Sequence, residues 1–431
     1  MTTFGATRTT GSLRTALPHW CRALAAVTTM TLPLAAGTAA AASSNPASTP
    51  SYQVIATIPV GDCPVGLDAN PVTGRVYVAD VCDNIVSVIN GRTNAVTTTV
   101  PADNRPFAVA VNPLTNTVYV ANFSFPQGTT SVINGRTNTI TATVPGGHSP
   151  YAAAVNPLTN TAYVVNDVDG TVSVIDGRTN QVTATIPAGG GGFGVAVNPL
   201  TDTIYVSNVG NNTVTVINGR TNEITATIPV GTEPYGLAVD PATNTVYVAN
   251  SLDNTVSVIN GRTNKVTATI PAGGGGYGVA VDPLTDTIYV SNVVNNTVTV
   301  INGRTNQVTA TIPVGSEPYG LAVDPATNTV YVTNSFPDNT VSVINGRTNQ
   351  VTATIGVGGY PWQVAVNPLT NTAFVANSDD KTVSVISGRT NQVTATVGVG
   401  NTPYGMAVNP ATGRLYVTNG GDATVSVIAP R

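Results

Sequence analysis

Beyond residue 42 the chain has a single histidine, His148, in the run His148-Ser149-Pro150-Tyr151. Imidazole is the side chain whose ordinary pKa lets it take and return protons near neutrality. The matching position one repeat earlier reads Asn104-Arg105-Pro106-Phe107. Together these residues could serve β-elimination from a uronate: Arg105 and Asn104 against the carboxylate, and His148 and Tyr151 moving protons from C5 and to the leaving oxygen. The plain alternative is that His148 is a solvated loop residue.

Other chemistries find less in the residues. Glycoside hydrolysis needs two carboxyl groups about 5 to 9.5 Å apart, and the only glutamates are Glu223, Glu233 and Glu317, the last two at equivalent sites two repeats apart. The Gly-Gly-Gly-Gly runs at 189–192 and 273–276 lie between strands, and no Gly-Lys-Thr follows, so they are not phosphate loops. No serine nucleophile elbow and no Cys-x-x-Cys is present. A metal-dependent, lactonase-like reading would need an ion at Asp167, Asp169 and their neighbours, but no recognisable Ca²⁺ loop is there. No cofactor and no metal are expected.

The elements that must position these groups follow from a repeat. Tyr-Val-x-Asn or a close variant recurs at Tyr77, Tyr119, Tyr163, Tyr205, Tyr247, Tyr289, Tyr331, Phe374 and Tyr416, at spacings of 42 to 44 residues. That period, filled with β-branched residues and turn formers, predicts an all-β propeller rather than a helical solenoid. One repeat, Tyr235 to Ile270, holds four strand-length runs with no helical spacing. Asp240-Pro241-Ala242-Thr243 parts the first two runs and Asn260-Gly261 the last two, both turn formers. Each repeat is therefore expected to be a four-stranded antiparallel blade.

The ends set the blade count. Gln53 to Ile58 copies the fourth, outer strand of every repeat, while the chain stops at a third strand, Val425 to Ile428. The N-terminal strand is expected to complete the last of nine blades and close the ring, removing open sheet edges. A split into smaller units is the alternative.

On its Tyr-Val-x-Asn, Asn/Asp-Pro-x-Thr and Gly-Arg-Thr-Asn motifs, recurring in register over about residues 53 to 428, the chain resembles the YVTN-repeat β-propeller family of surface-layer and secreted prokaryotic proteins. That resemblance implies the fold and brings no shared catalytic motif. Some secreted bacterial propellers similar in size and repeat type are associated with hyaluronan breakdown, which implies degradation of a uronate-containing polysaccharide. The family's default role implies the alternative, a noncatalytic propeller that binds a glycan or protein.

Residues 1–42 read as a secretory signal, with Arg8, Arg14 and Arg22 before a weakly apolar stretch and Ala40-Ala41-Ala42 as a cleavage site. An uncleaved anchor is the alternative, though no run of about 20 strongly apolar residues supports it. Residues 43–52 read as a flexible leader and 53–431 as one propeller domain, so a secreted or cell-wall-associated monomer without a membrane span is expected. Only Cys63 and Cys82 would survive cleavage, in loops that share one face of the first blade. A Cys63–Cys82 bridge is feasible in an exported protein, with two free thiols as the alternative.

Charged residues make up 9% of the chain, against about 25% ordinarily. Eight arginines, from Arg92 and Arg136 to Arg389, recur in the turns between third and fourth strands and should ring one face. They could hold a polyanion, or could be part of a turn cassette copied with the blade. The loops of the opposite face are rich in aspartate and vary from repeat to repeat, so any site is expected there. The inner strand begins on that face with Val65, Phe107, Tyr151, Phe193, Tyr235, Tyr277, Tyr319, Trp362 and Tyr404, an aromatic collar suited to stacking on sugar rings or to packing between blades. A net charge of −4 and the absence of a basic run argue against nucleic acid as a partner.

Overall fold

A computed structural model describes residues 51–409 and 412–431. The expected signal (1–42) and residues 43–50 of the leader lie outside the described residues. The described residues form nine four-stranded antiparallel sheets and no helix. Eight blades are continuous: Pro64–Pro101, Pro106–Pro145, Pro150–Pro187, Gly192–Pro229, Pro234–Pro271, Gly276–Pro313, Pro318–Gly356 and Pro361–Gly398, numbered 1 to 8. Blade 9 takes three strands from Pro403–Pro430 and its outer strand from Tyr52–Pro59, which pairs antiparallel from Tyr52↔Pro430 to Pro59↔Thr424. This is the closure expected from the ends of the chain.

The repeated motifs are explained by what each residue touches. The tyrosine of Tyr-Val-x-Asn is fully buried in every blade that has it, and its hydroxyl reaches the Asn-Gly-Arg-Thr turn of the next blade. A Cβ at Gly135, for example, would lie 2.6 Å from the Tyr77 hydroxyl, so the turn needs glycine for the seam to close. The motif's asparagine is equally buried, and its amide ties second strand to third: Asn122 Nδ2 donates to Thr129 Oγ1 and to Ser131 Oγ, both at 2.9 Å. In the turn itself Asn260 Oδ1 accepts from the backbone N–H of Arg262 at 2.9 Å and of Thr263 at 3.1 Å, and Asn264 takes a left-handed φ of 53°. Asparagine tolerates both roles better than other non-glycine residues.

Between neighbouring blades the inner strands come very close. A Cβ at Gly236 would lie 2.6 Å from the carbonyl oxygen of Tyr277 in the next blade. The same close approach holds at Gly66, Gly320 and Gly405, whereas blades 2, 3 and 8 carry Ala108, Ala152 and Gln363 at this position. Every inner strand also carries a register shift just after its first residue, as between Pro234 and Leu237 or between Pro150 and Ala152. Such bulges re-aim side chains at sheet edges, and here they fall on the collar residues.

Two faces result. The crossovers from outer strand to next inner strand and the loops between second and third strands lie on one side, called here the crossover face. The tight turns, two in each of blades 1 to 8, lie on the other, the turn face. Cys63 and Cys82 are bonded across the crossover face of blade 1, with Cα atoms 5.4 Å apart. Backbone bonds from Val81 N to Cys63 O and from Cys82 N to Asp62 O, each 3.2 Å, hold the same loops. Replacing both cysteines by alanine is expected to lower stability by about 3 kcal/mol on the loop-closure estimate. Urea unfolding of both forms would read this, and equal midpoints would contradict it.

Candidate functional site

The crossover face is built by a clamp that the sequence alone does not reveal. In six blades an aspartate in the second-to-third loop accepts the backbone N–H of the crossover leading into its own blade: Asp83 from Asp62, Asp169 from His148, Asp253 from Thr232, Asp338 from Ser316, Asp380 from Gly359 and Asp422 from Asn401, all at 2.6 to 2.8 Å. The asparagine after several of them reaches the other way, to the crossover leaving the blade. Asn84 accepts from Arg105 N at 2.7 Å, Asn254 from Gly275 N at 3.0 Å and Asn339 from Tyr360 N at 3.0 Å. The aspartates that make this face acidic are thus partly spent on holding loops. The Asp422 carboxyl lies below the usual range because Asn401, through its backbone N–H and then its side chain, favours the charged form.

Blade 2 departs from the clamp. Its loop, Phe123 to Gly128, contacts both flanking crossovers directly: Phe123 N donates to Arg105 O at 2.8 Å, Ser149 N to Ser124 O at 3.1 Å, and Gly128 N to Gly147 O at 3.0 Å. Three expected site residues gather around this loop. Asn104 Nδ2 donates to Ser124 Oγ at 3.4 Å. The Arg105 guanidinium lies 5.2 Å from the centre of the Phe123 ring, and the His148 ring lies 5.5 Å from that of Phe125.

Like Asn401 at Asp422, His148 adds its side chain to the clamp, and it brings an imidazole rather than an amide. Its Nδ1 is 3.0 Å from Asp169 Oδ1, while its backbone N–H donates to Asp169 Oδ2 at 2.7 Å. One carboxylate therefore fixes both the loop and the imidazole. A proton on Nδ1 shared with Asp169 leaves the Nε2 lone pair for an outside group, which is the arrangement of a general base with its orienting carboxylate. The imidazole is 38% exposed. Tyr151, by contrast, is 5% exposed and packs on Phe107 at 5.3 Å between ring centres.

The collar is not uniform. Phe107 and Tyr151 are buried in a core cluster with Val165 and Val206, and the partly buried Val65 packs against it. Across the ring, Tyr277 and Tyr319 are half-buried and meet edge to face at 5.6 Å, and Tyr319 lies 4.8 Å from Trp362. Tyr360, which sequence reasoning did not single out, lies nearly parallel to Trp362 at 6.0 Å and 7°. Tyr235 and Tyr404 are half-buried, and the Phe193 side chain lies outside what is described.

Two further carboxyls went unread. Asp68 stands in the inner strand of blade 1 where every other blade has alanine, from Ala110 to Ala407. It accepts the N–H of Val111 at 3.0 Å, on the free edge of the next inner strand, and that of Ala69 at 2.8 Å. Asp80 holds the asparagine place of Tyr-Val-x-Asn and accepts from Ser87 Oγ at 2.6 Å. Burial is the leading cause that pushes each from 3.8 up to about 7, against these hydrogen bonds. Comparison of the repeats position by position would have found both.

A carboxyl with a raised folded pKa stabilises the fold while protonated. That contribution is complete below the unfolded pKa near 3.8 and is lost as pH rises through about 7. Asp80→Asn, restoring the amide of the other blades, is expected to raise stability at pH 8 by roughly 2 kcal/mol and to have much less effect at pH 5. Thermal melts at the two pH values would show it, and a variant no more stable than its parent at pH 8 would contradict it.

Asp62, Cys63 and Cys82 are the only His, Cys, Asp or Glu ligand atoms that gather in a group of three among the described residues, and the two sulfurs are bonded to each other. Asp167, raised by burial, and Asp169 are joined by no third ligand group there.

The fold and this face define a β-propeller, and comparison with known proteins agrees. Residues 237–328 match the family described as YNCE-like beta-propeller, and residues 107–279 match that described as Lactonase, 7-bladed beta-propeller. No curated protein sequence matches the chain. Among solved structures, dihydro-heme d1 dehydrogenase NirN in complex with DHE is similar at 14% identity and a TM-score of 0.62, over 78% of this chain and 75% of that one. Hydrazine synthase of Kuenenia stuttgartiensis aligns at 16% identity and a TM-score of 0.49, over 86% of this chain and 96% of that one.

Proposed function

We propose that this propeller is secreted and acts on an extracellular uronate-containing polysaccharide such as hyaluronan, cleaving it by β-elimination at His148. The observation that carries the reading is the double contact of Asp169 with His148, which leaves Nε2 as the acceptor. His148 Nε2 takes the C5 proton; the electrons of that C–H bond form the C4=C5 double bond as the C4–O bond breaks. Arg105, beside Asn104 at the same loop, offsets the uronate charge. Because Tyr151 is packed on Phe107, we assign to His148 the return of the proton to the leaving oxygen as well.

Support for a polymer as substrate comes from the layout of the face. The histidine loop belongs to blades 2 and 3, whereas Tyr277, Tyr319 and Trp362 belong to blades 6 to 8, across the ring. A ligand meeting both spans the channel mouth, as a chain of sugars can, and aromatic faces suit sugar rings. The disulfide fits an exported protein. A second reading, opening of a lactone at the same pair, draws on the lactonase-family match over residues 107–279.

The deciding experiment incubates the purified protein with hyaluronan, a panel of neutral and acidic polysaccharides and a panel of lactones. Unsaturated-uronate absorbance together with new reducing ends is the expected result. Reducing ends alone would mean hydrolysis and overturn the proton-abstraction role; lactone consumption alone would favour the second reading. Intact substrates throughout would leave a noncatalytic glycan- or protein-binding propeller.

A further inference from the structure

The turn face carries a feature that the crossover-face chemistry does not use. In the turn between first and second strands, the residue after proline is an exposed aliphatic in six blades: Val72 (72%), Leu114 (59%), Leu158 (56%), Leu200 (68%), Leu284 (72%) and Leu369 (69%). None is a folding accident of its turn. Leu158 and Leu200 each donate a backbone N–H to the preceding asparagine side chain at 3.1 Å, which holds the turn and leaves the side chain outside. Such large apolar groups at equivalent exposed positions mark a contact surface rather than scattered surface leucines.

Around them, the eight turn arginines are all exposed. Among the described residues only Arg304 comes within 4.0 Å of a carboxylate, Asp286 at 3.9 Å, and it keeps an 82% exposed side chain. The inner turns are nearer the channel and the arginine turns nearer the rim, so the face is an apolar inner ring inside a cationic outer ring. Equivalent residues of a ring lie in one plane perpendicular to its axis. A ligand that meets many of them at once must itself be flat.

We propose that the turn face is a docking surface for a planar anionic lipid surface, with the aliphatic tips entering the interfacial region and the arginines at headgroup level. Charge complementarity and planarity together favour this occupant: a soluble polyanion would satisfy the arginines but give the leucines nothing. Arginine stems lie on apolar surface while their heads stay at phosphate level, and cationic residues near an anionic bilayer each add attraction that salt weakens. The overall charge of −4 does not forbid it, because the exposed aspartates gather on the opposite face, those in the turns (Asp176, Asp202, Asp240, Asp282, Asp286 and Asp324) being buried or half-buried; this asymmetry would point the arginine face toward the membrane. Docked this way, the protein would present its crossover face outward.

The test is co-sedimentation of the purified full chain with phosphatidylcholine vesicles, with and without phosphatidylglycerol, at low and high salt. Binding to the phosphatidylglycerol vesicles alone is expected. Leu158→Ser/Leu200→Ser/Leu284→Ser and Arg178→Gln/Arg220→Gln/Arg262→Gln should each weaken it by about tenfold or more, while all proteins keep the parent melting temperature. Absence of binding would overturn the proposal. So would binding that the leucine variant leaves unchanged, which would indicate a simple polyanion site, or binding lost instead in Phe125→Ser/Phe336→Ser, which would place the contact on the opposite face.

Discussion

A chain lacking Tyr52–Pro59 will not hold a closed ring. That strand is the outer edge of blade 9 and touches blades on both sides of it. Tyr52 is 7% exposed and meets Phe374 of blade 8 edge to face at 5.6 Å; Ile58 is 3% exposed and packs with Val76, Val78 and Ile89 of blade 1. Burying those two side chains alone contributes roughly 5 kcal/mol, which is comparable to the whole stability of many domains, about 5 to 15 kcal/mol. Its removal also bares the third strand of blade 9 as an open edge prone to pairing with other chains. Aggregation or loss of cooperative unfolding is expected in size-exclusion chromatography and urea titration. Ile58→Ala, a milder change, should cost about 3 kcal/mol. A truncated chain that stays monomeric with the parent midpoint would show that the ring closes without this strand.

The second large effect concerns the imidazole. With a uronate polymer as substrate, His148→Ala is expected to lower kcat/KM by about 10²- to 10⁴-fold, the range for loss of a general base. Asp169→Asn should also lower it and change the pH–rate profile, because the amide no longer holds Nδ1–H as a carboxylate does. A structural role would reduce activity through the loop alone, and Asp253→Asn tests that. Asp253 makes the same backbone clamp, to Thr232 at 2.6 Å, with no histidine attached. It should lose similar stability and keep full activity. Tyr151→Phe, in the buried cluster, should leave turnover within about threefold. Equal losses in Asp169→Asn and Asp253→Asn would sink the base assignment.

Much of the architecture is legible in consecutive residues. The tyrosine repeat, the Asn-Gly-Arg-Thr turns and the unmatched outer strand at Gln53–Ile58 lead to nine closed blades, because each reflects local backbone preferences and a side-chain period of two. The site was legible only as a set of residues that differ from their counterparts in other repeats. Asn104, Arg105 and His148 stand out in that way, and the structure gathers them around Phe123–Gly128. Asp68 and Asp80 stand out equally in such a comparison, yet carry no motif to draw the eye. Tyr360 lies outside the collar register and could be found only from its stacking on Trp362.

The sequence by itself determined the strands, their turns, the blade count and the two unlike faces. The tertiary structure decided which loops meet. The carboxylate that orients His148 is Asp169, 21 residues away and indistinguishable in sequence from the other loop aspartates. The seam between first and last blades joins Arg414 to Asn94 across 320 residues. Turn and strand preferences act over a few neighbouring residues and are written there. Contacts between loops exist only once the ring has closed and set their spacing, so the Asp169–His148 contact, the burial of Tyr151 and the stacking of Tyr360 on Trp362 follow from packing and not from local pattern.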